Sequence, residues 1–250
     1  MQLMNMSYGV VTGDDLPDYT FRVFEIFNSQ EGEFPKVGYY STFIRFPLCN
    51  NACWFCDTMR NPKMKPTTIK YSEIKTHIEN THALTFTGGE PALFVGDMIN
   101  ILNLLLKDRI YLDFIKIETS GNGLEKIRLL LNHFPEIKDR FIVSWSPKIY
   151  SESLFQTMLT HLYETDLSNT FIKIVAVPDD KDKIEEFLSV AKELHGTMLM
   201  QRIALMPLSI VEDGVSTQTP DPKSLEMIQD LVSRYKVNVT PRLHEILNVR

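Results

Sequence analysis

The chain has 250 residues, 44% hydrophobic and 23% charged, the composition of a globular protein long enough to bury a sizeable core. A formal net charge of −6 leaves no basic footprint and argues against nucleic acid as a partner. No apolar run reaches the ~20 residues that cross a bilayer. Met1 to Asp18 carries three aspartates but no Lys or Arg, unlike the start of a signal peptide, so a reducing, cytoplasmic setting is expected for the closely spaced thiols.

In chain order, residues 1–18 read as a loose extension and 19–250 as one domain. Tyr19 to Phe27 alternates apolar and polar residues as a half-buried strand does. A loop from Asn28 to Val37, punctuated by Gly32 and Pro35, leads to a second strand over Tyr39 to Phe46. Asn61 to Thr68 reads as a flexible connection, and Ser72 as the cap of a short helix through Asn80. The pattern then becomes regular. Strands are expected over Ala83 to Thr87, Asp113 to Glu118, Arg140 to Trp145 and Thr170 to Val177, with helices over Val95 to Lys107, Leu124 to Asn132 and Ser151 to Tyr163. A helix capped by Asp179 or Asp180 should end before Gly196, followed by a strand over Leu199 to Leu205. After a long loop, Asp221-Pro222 opens a helix towards Tyr235, and Val237 to Thr240 is a last short strand. Strands alternating with helices imply an α/β fold with parallel pairing. About six repeats suit an incomplete (β/α)6-type barrel, whose functional residues gather at strand C-terminal ends.

The run from Phe46 to Thr58 holds all three cysteines of the chain, Cys49, Cys53 and Cys56. This Cys-x-x-x-Cys-x-x-Cys spacing sets three thiols on one compact loop. Iron–sulfur cubanes take four thiolates as a rule, so a cluster here would keep one iron open to a reactant. Two other readings stand beside it: a structural zinc completed by a distant histidine, and plain buried thiols. His77, His82, His133, His161 and His195 show no ligand spacing with the cysteines and read as packing or surface residues. Thr87-Gly88-Gly89-Glu90-Pro91 follows a strand, where glycines let backbone approach a ligand and Glu90 can accept from an ammonium. Gly-Gly is also an ordinary turn.

With the aromatic Phe55 before Cys56, the cysteine pattern resembles the radical S-adenosylmethionine (SAM) superfamily. Further segments narrow the likeness: Glu25 to Glu33, Phe43-Ile44-Arg45, Cys56-Asp57-Thr58, Ser146-Pro147-Lys148 and Pro241-Arg242-Leu243-His244. Together they resemble the 7-carboxy-7-deazaguanine synthase family of queuosine and 7-deazapurine biosynthesis, from about Glu25 onward. The resemblance implies a homodimeric carbon–nitrogen lyase acting on 6-carboxy-5,6,7,8-tetrahydropterin, with a [4Fe–4S] cluster, SAM and Mg²⁺, reduced by a donor such as flavodoxin. Cys49, Cys53 and Cys56 would hold the cluster and Thr58 would contact Mg²⁺. Phe55, Asp57, Gly88, Gly89, Glu90, Glu118, Ser120, Ser146 and Lys148 would serve SAM. Gln30, Glu31, Gly32, Glu33, Arg45, Thr87, His244 and the terminal carboxylate of Arg250 would serve the substrate. Glycyl-radical activating enzymes share the cysteine spacing, but that reading leaves Glu31-Gly32-Glu33, Asp57-Thr58 and His244 unexplained; a non-catalytic metal-binding module is the third alternative. The chain departs from the family pattern at Glu31 and Arg242 (usually Gln), Phe34 and Leu48 (often Gly), Ser120 (usually Asn) and Met206 (usually Gln).

Overall fold

The computed structural model describes residues 18–56, 58–59, 64–164, 166–212 and 215–247. The strands are β1 (Thr20–Val23), β2 (Glu25–Gln30), β3 (Tyr40–Phe46), β4 (Thr67–Lys70), β5 (Ala83–Gly88), β6 (Phe114–Thr119), β7 (Phe141–Trp145), β8 (Thr170–Ala176), β9 (Ile203–Pro207), β10 (Ser209–Glu212), β11 (Val215–Pro220) and β12 (Asn238–Val239). The helices are α1 (Tyr71–Ile78), α2 (Val95–Lys107), α3 (Leu124–His133), α4 (Glu152–Glu164), α5 (Lys181–Met200), α6 (Pro222–Tyr235) and α7 (Leu243–Ile246).

Eight strands form one sheet in the order β12-β9-β8-β7-β6-β5-β3-β2. Every neighbouring pair is parallel except β2 with β3. Helices α1 to α6 supply the crossovers that parallel strands require. No pairing joins β12 to β2, so the sheet is an open partial barrel. Strand periodicity sorts its two faces. Ile44, Phe86, Ile117, Trp145, Ile174 and Leu205 are buried in a core that runs without a break from Phe21 to Val237. The alternate residues Arg45, Thr87, Glu118, Lys173 and Val175 face a cavity instead. Helix α2 buries Met98, Ile101, Leu102 and Leu105, the stripe expected of an amphipathic helix. Helix α6 starts as its sequence dictates: the Asp221 carboxylate accepts from Ser224 N at 2.8 Å and Pro222 takes the first turn. Among the described residues no helix is long and apolar enough to cross a membrane.

Four local expectations are corrected. The strand expected over 19–27 divides at Phe24, whose N–H donates to Arg45 O at 2.7 Å, and β1 leaves to pair antiparallel with β4, which begins at Thr67 within the end of the expected flexible connection. The cap of α1 is Lys70, not Ser72, whose N–H and hydroxyl donate to Asp18. Helix α5 bends at Gly196 (φ 62°) but resumes, because Leu199 and Met200 are buried from a helical segment; β9 therefore begins only at Ile203. The long loop before Asp221 contains the antiparallel pair β10 and β11. The extension expected over 1–18 lies outside the described residues, except Asp18.

The segment after β2 crosses the open side of the sheet. Lys116 Nζ donates to Glu33 O at 3.3 Å, Ser144 Oγ to Phe34 O at 3.2 Å, and Phe34 N to Thr240 Oγ1 at 2.9 Å. Leu243 N, at the start of α7, donates to Gly32 O at 2.8 Å. The two edges that do not pair as strands are thereby joined through this segment. Thr240 is 1% exposed, so Thr240→Val keeps its shape while leaving Phe34 N–H without its acceptor. The expected loss is about 1–3 kcal/mol, read as a lower urea midpoint at unchanged slope; an unchanged midpoint would show that this bridge does not hold the edges together.

Candidate active site

The cavity, of about 250 Å³, lies where the C-terminal ends of the parallel strands converge. At one end stand the partly exposed Cys49, Cys53 and Cys56, none of them in a disulfide. Their loop is fixed from outside. Gly89 N donates to Phe46 O at 2.8 Å and Glu90 N to Leu48 O at 2.7 Å, so the end of β5 lies against the residues that lead into Cys49. A Cβ on Gly89 would fall 1.8 Å from Leu48 O, which leaves room for no other residue. Asn51 Nδ2 donates to Ser120 Oγ at 2.8 Å and ties the same loop to the end of β6. Asn51 N and Met59 N donate to the sulfurs of Cys49 and Cys56 at 3.4 and 3.2 Å, and Cys53 Sγ lies 3.8 Å from Tyr150 Oη. Burial pushes the Cys49 thiol up. Among the described residues no three His, Cys, Asp or Glu side chains are already closed around a metal-sized gap. The donor set itself, three thiols on one loop at one end of a cavity, fits a thiolate-held cluster with an open position.

The other end of the cavity is charged. Arg45 Nε donates to Glu25 Oε1 at 2.9 Å and its Nη1 to Thr58 Oγ1 at 2.8 Å, with the guanidinium 5.5 Å from the Phe27 ring centre. Lys116, fully buried, has an acceptor for each of its three hydrogens: Glu31 Oε2 at 2.7 Å, Glu118 Oε1 at 3.0 Å and Glu33 O at 3.3 Å. Lys173 donates to Glu33 Oε2 and lies 3.7 Å from Glu118 Oε1. Arg242 Nε is 3.4 Å from Glu33 Oε1. Thr85 Oγ1 donates to Glu31 and Thr87 Oγ1 to Glu118, the latter at 2.9 Å. Burial alone would raise the Glu118 carboxyl, but the ammoniums of Lys116 and Lys173 outweigh it and hold the group well below the usual carboxylate range. Burial pushes the Glu31 carboxyl up, against the pull of Lys116. Lys116 itself is raised, since Glu118 and Glu31 overcome the burial that would lower it.

No family model matches the chain. Over 116 residues it is 39% identical to a 7-carboxy-7-deazaguanine synthase of Clostridium acetobutylicum, an alignment spanning 45% of this chain and only 50% of that protein. Over 244 residues it is 27% identical to the 7-carboxy-7-deazaguanine synthase of Archaeoglobus fulgidus, spanning 90% of this chain and 97% of the relative. The like-named protein of Methanocaldococcus jannaschii is 26% identical over 257 residues, spanning 90% and 98%. Over nearly its whole length the chain is thus similar to proteins named 7-carboxy-7-deazaguanine synthase. Its fold matches the crystal structure of QueE from Escherichia coli with a TM-score of 0.57 at 19% identity, over 90% of this chain and 95% of the other.

The residues singled out from sequence fall largely on this one cavity. Gln30, Glu31, Gly32, Glu33, Arg45 and Thr87 line its charged end, as does Thr58. Phe55, Ser146 and Lys148 meet beside the cysteines: Lys148 Nζ donates to Ser146 Oγ at 3.0 Å and lies 5.8 Å from the Phe55 ring centre. Gly88, Gly89, Glu118 and Ser120 also line it. Glu90 does not. Its carboxylate is wholly buried and accepts from Ala92 N at 3.1 Å, Thr119 Oγ1 at 2.6 Å, Ser120 N at 2.8 Å and Ser120 Oγ. It is spent on joining the ends of β5 and β6, so the expectation that it meets an ammonium is corrected. Asp57 and Arg250 lie outside the described residues. The backbone of His244 lies in α7, beside Gly32 through Leu243 N.

Lys116 and Lys173 were not singled out from sequence. Each stands alone as a cation in an otherwise apolar strand centre, Phe-Ile-Lys-Ile in both β6 and β8, two residues from a cavity-lining neighbour. That spacing was the available signal. The pairing of Glu31 with Lys116 also accounts for the acidic residue at 31: its charge is met at 2.7 Å. Removing Lys116 alone, as Lys116→Met, should cost about 3–5 kcal/mol by stranding buried carboxylates. Glu31→Gln combined with Lys116→Met should recover part of that loss, with a coupling of about 0.5–3 kcal/mol in a urea-denaturation cycle; strict additivity would deny the pair.

Proposed function

We propose that this protein is a radical SAM carbon–nitrogen lyase that converts 6-carboxy-5,6,7,8-tetrahydropterin to 7-carboxy-7-deazaguanine and ammonia. The observation that carries the reading is the joining, in one cavity, of three thiols on a single loop with the charged wall of Arg45, Thr58, Glu31, Glu33 and Glu118. Sequence likeness to proteins of that name over nearly the whole chain supports it.

Cys49, Cys53 and Cys56 would hold a [4Fe–4S] cluster, leaving one iron for SAM, and this pair supplies hydrogen-atom abstraction at the pterin ring. Phe55, Ser146 and Lys148 stand beside the thiols and would hold SAM with the backbone of Gly88 and Gly89. Thr58 presents a hydroxyl oxygen, the kind of ligand that Mg²⁺ takes. Arg45, anchored by Glu25, presents a fixed fork suited to a carboxylate. Glu33 accepts only, which matches the donor-rich amino-lactam edge of a pterin. The protein's part is orientation, electrostatics and exclusion of water. A homodimer, with electrons taken from a flavodoxin-like donor, completes the proposal.

The test is anaerobic turnover by reconstituted protein with SAM, a reductant, Mg²⁺ and the carboxytetrahydropterin. The expected products are 7-carboxy-7-deazaguanine and ammonia. SAM that stays intact on an iron-replete protein would sink the radical reading, whereas SAM cleavage without the deazaguanine would reject only this substrate. Thr58→Val should raise the Mg²⁺ concentration for half-maximal rate by at least about tenfold, and an unmoved Mg²⁺ dependence would remove Thr58 from that role.

A further inference from the structure

Lys173 differs from the other buried cation in what it has left to give. Lys116 has an acceptor for each ammonium hydrogen. Among the described residues Lys173, 5% exposed and lining the cavity, makes one hydrogen bond, to Glu33 Oε2. Its distance of 3.7 Å to Glu118 Oε1 is an ion-pair contact, too long for a hydrogen bond. An ammonium carries three donors, and burial of unused donors without a partner is costly. The remaining donor capacity faces the ligand space.

The order of groups across this wall is informative. Arg242 sits on the Oε1 side of Glu33 and Lys173 on the Oε2 side. The lining therefore presents two acceptors in a row, Glu33 Oε1 and Oε2, followed by a donor, Lys173 Nζ. The 2-amino-4-oxo edge of a pterin reads as the complement: the N2 and N3 hydrogens are adjacent donors, and O4 next to them is an acceptor.

We infer that Lys173 is a specificity-determining residue that donates to the 4-oxo oxygen of the pterin while Glu33 accepts from N2 and N3; this rests on the pterin substrate proposed above. A sulfur in place of the 4-oxo oxygen keeps the N2 and N3 hydrogens and weakens only the acceptor that meets Lys173. Glu33 alone cannot make that distinction, because both rings offer it the same two hydrogens. Lys116 reaches no ligand atom in this arrangement; it holds Glu31 and the backbone of Glu33 in place behind the wall.

The experiment compares anaerobic binding of 6-carboxy-5,6,7,8-tetrahydropterin with that of its 4-thioxo counterpart, in the presence of SAM and Mg²⁺, alongside turnover. The unsubstituted protein should prefer the 4-oxo ligand by about tenfold. In Lys173→Met the preference should collapse to within about threefold, with KM rising more than kcat falls. Should that variant not fold, Lys173→Gln carries the same comparison, since its neutral amide donates more weakly than an ammonium and should narrow the preference to the same range. Equal binding of the two ligands by the unsubstituted protein, or a preference untouched by substitution, overturns the inference while leaving the proposed reaction standing. Absence of deazaguanine formation by the unsubstituted protein overturns the reaction and this inference with it.

Discussion

The charged half of the cavity depends on one buried ammonium. Lys116 joins the Glu31 carboxylate, the Glu33 carbonyl and the Glu118 carboxylate at 2.7, 3.3 and 3.0 Å. Two of those groups belong to the segment after β2 and one to the strand that carries Lys116 itself. An ammonium this deep is tolerated only when every donor is met. The requirement works in both directions: the carboxylates keep Lys116 charged, and Lys116 keeps the crossing segment on the concave face. Without it, Glu31 would keep Thr85 as a side-chain partner and Glu33 would keep Lys173 and Arg242, but the Glu31 carboxylate and the Glu33 carbonyl would lose the ammonium that ties them to β6.

The cysteine end is held by a different kind of contact. There the thiol loop takes its place from backbone packing against Gly89 and from Asn51 reaching Ser120, while Glu90 locks the ends of β5 and β6 together beneath it. The two ends of the cavity thus meet on shared strands. Glu118 and Ser120 are two residues apart on the end of β6, the first facing the lysines and the second facing the thiol loop. A reactive group held by the cysteines and a ligand held by the charges are set relative to one another by the geometry of one strand.

Much of this was legible in the sequence because its signals are local. Three thiols within eight residues, a Gly-Gly after an apolar strand and an Asp-Pro helix start each carry their meaning within a short window, and helical or alternating apolar spacing placed most of the elements. The lysines were not legible in that way. Lys116 and Lys173 meet partners 85 and 140 residues away in sequence, Glu31 and Glu33, so their apolar Phe-Ile-Lys-Ile setting marks each as unusual without naming its distant partner. Glu90 misled for the opposite reason: its motif suggests a ligand, yet four backbone and hydroxyl donors from its own neighbourhood and from the end of β6 claim it first. Gly196 was read as a stop, but a glycine interrupts a helix without ending it when apolar residues beyond it still have a core to enter.

The ion pairs of the cavity also have a collective property. Glu25, Glu31, Glu33 and Glu118 stand against Arg45, Lys116, Lys173 and Arg242, one cation for each anion. Among the described residues this wall is therefore electroneutral before anything enters, and Lys148, beside the thiols, is one further cation in the cavity. Such a wall exerts little pull at a distance, so an anionic ligand gains no steering from it and its arrival should depend only weakly on ionic strength. Once inside, its carboxylate must either take a cation away from a resident partner or bring a counter-ion of its own.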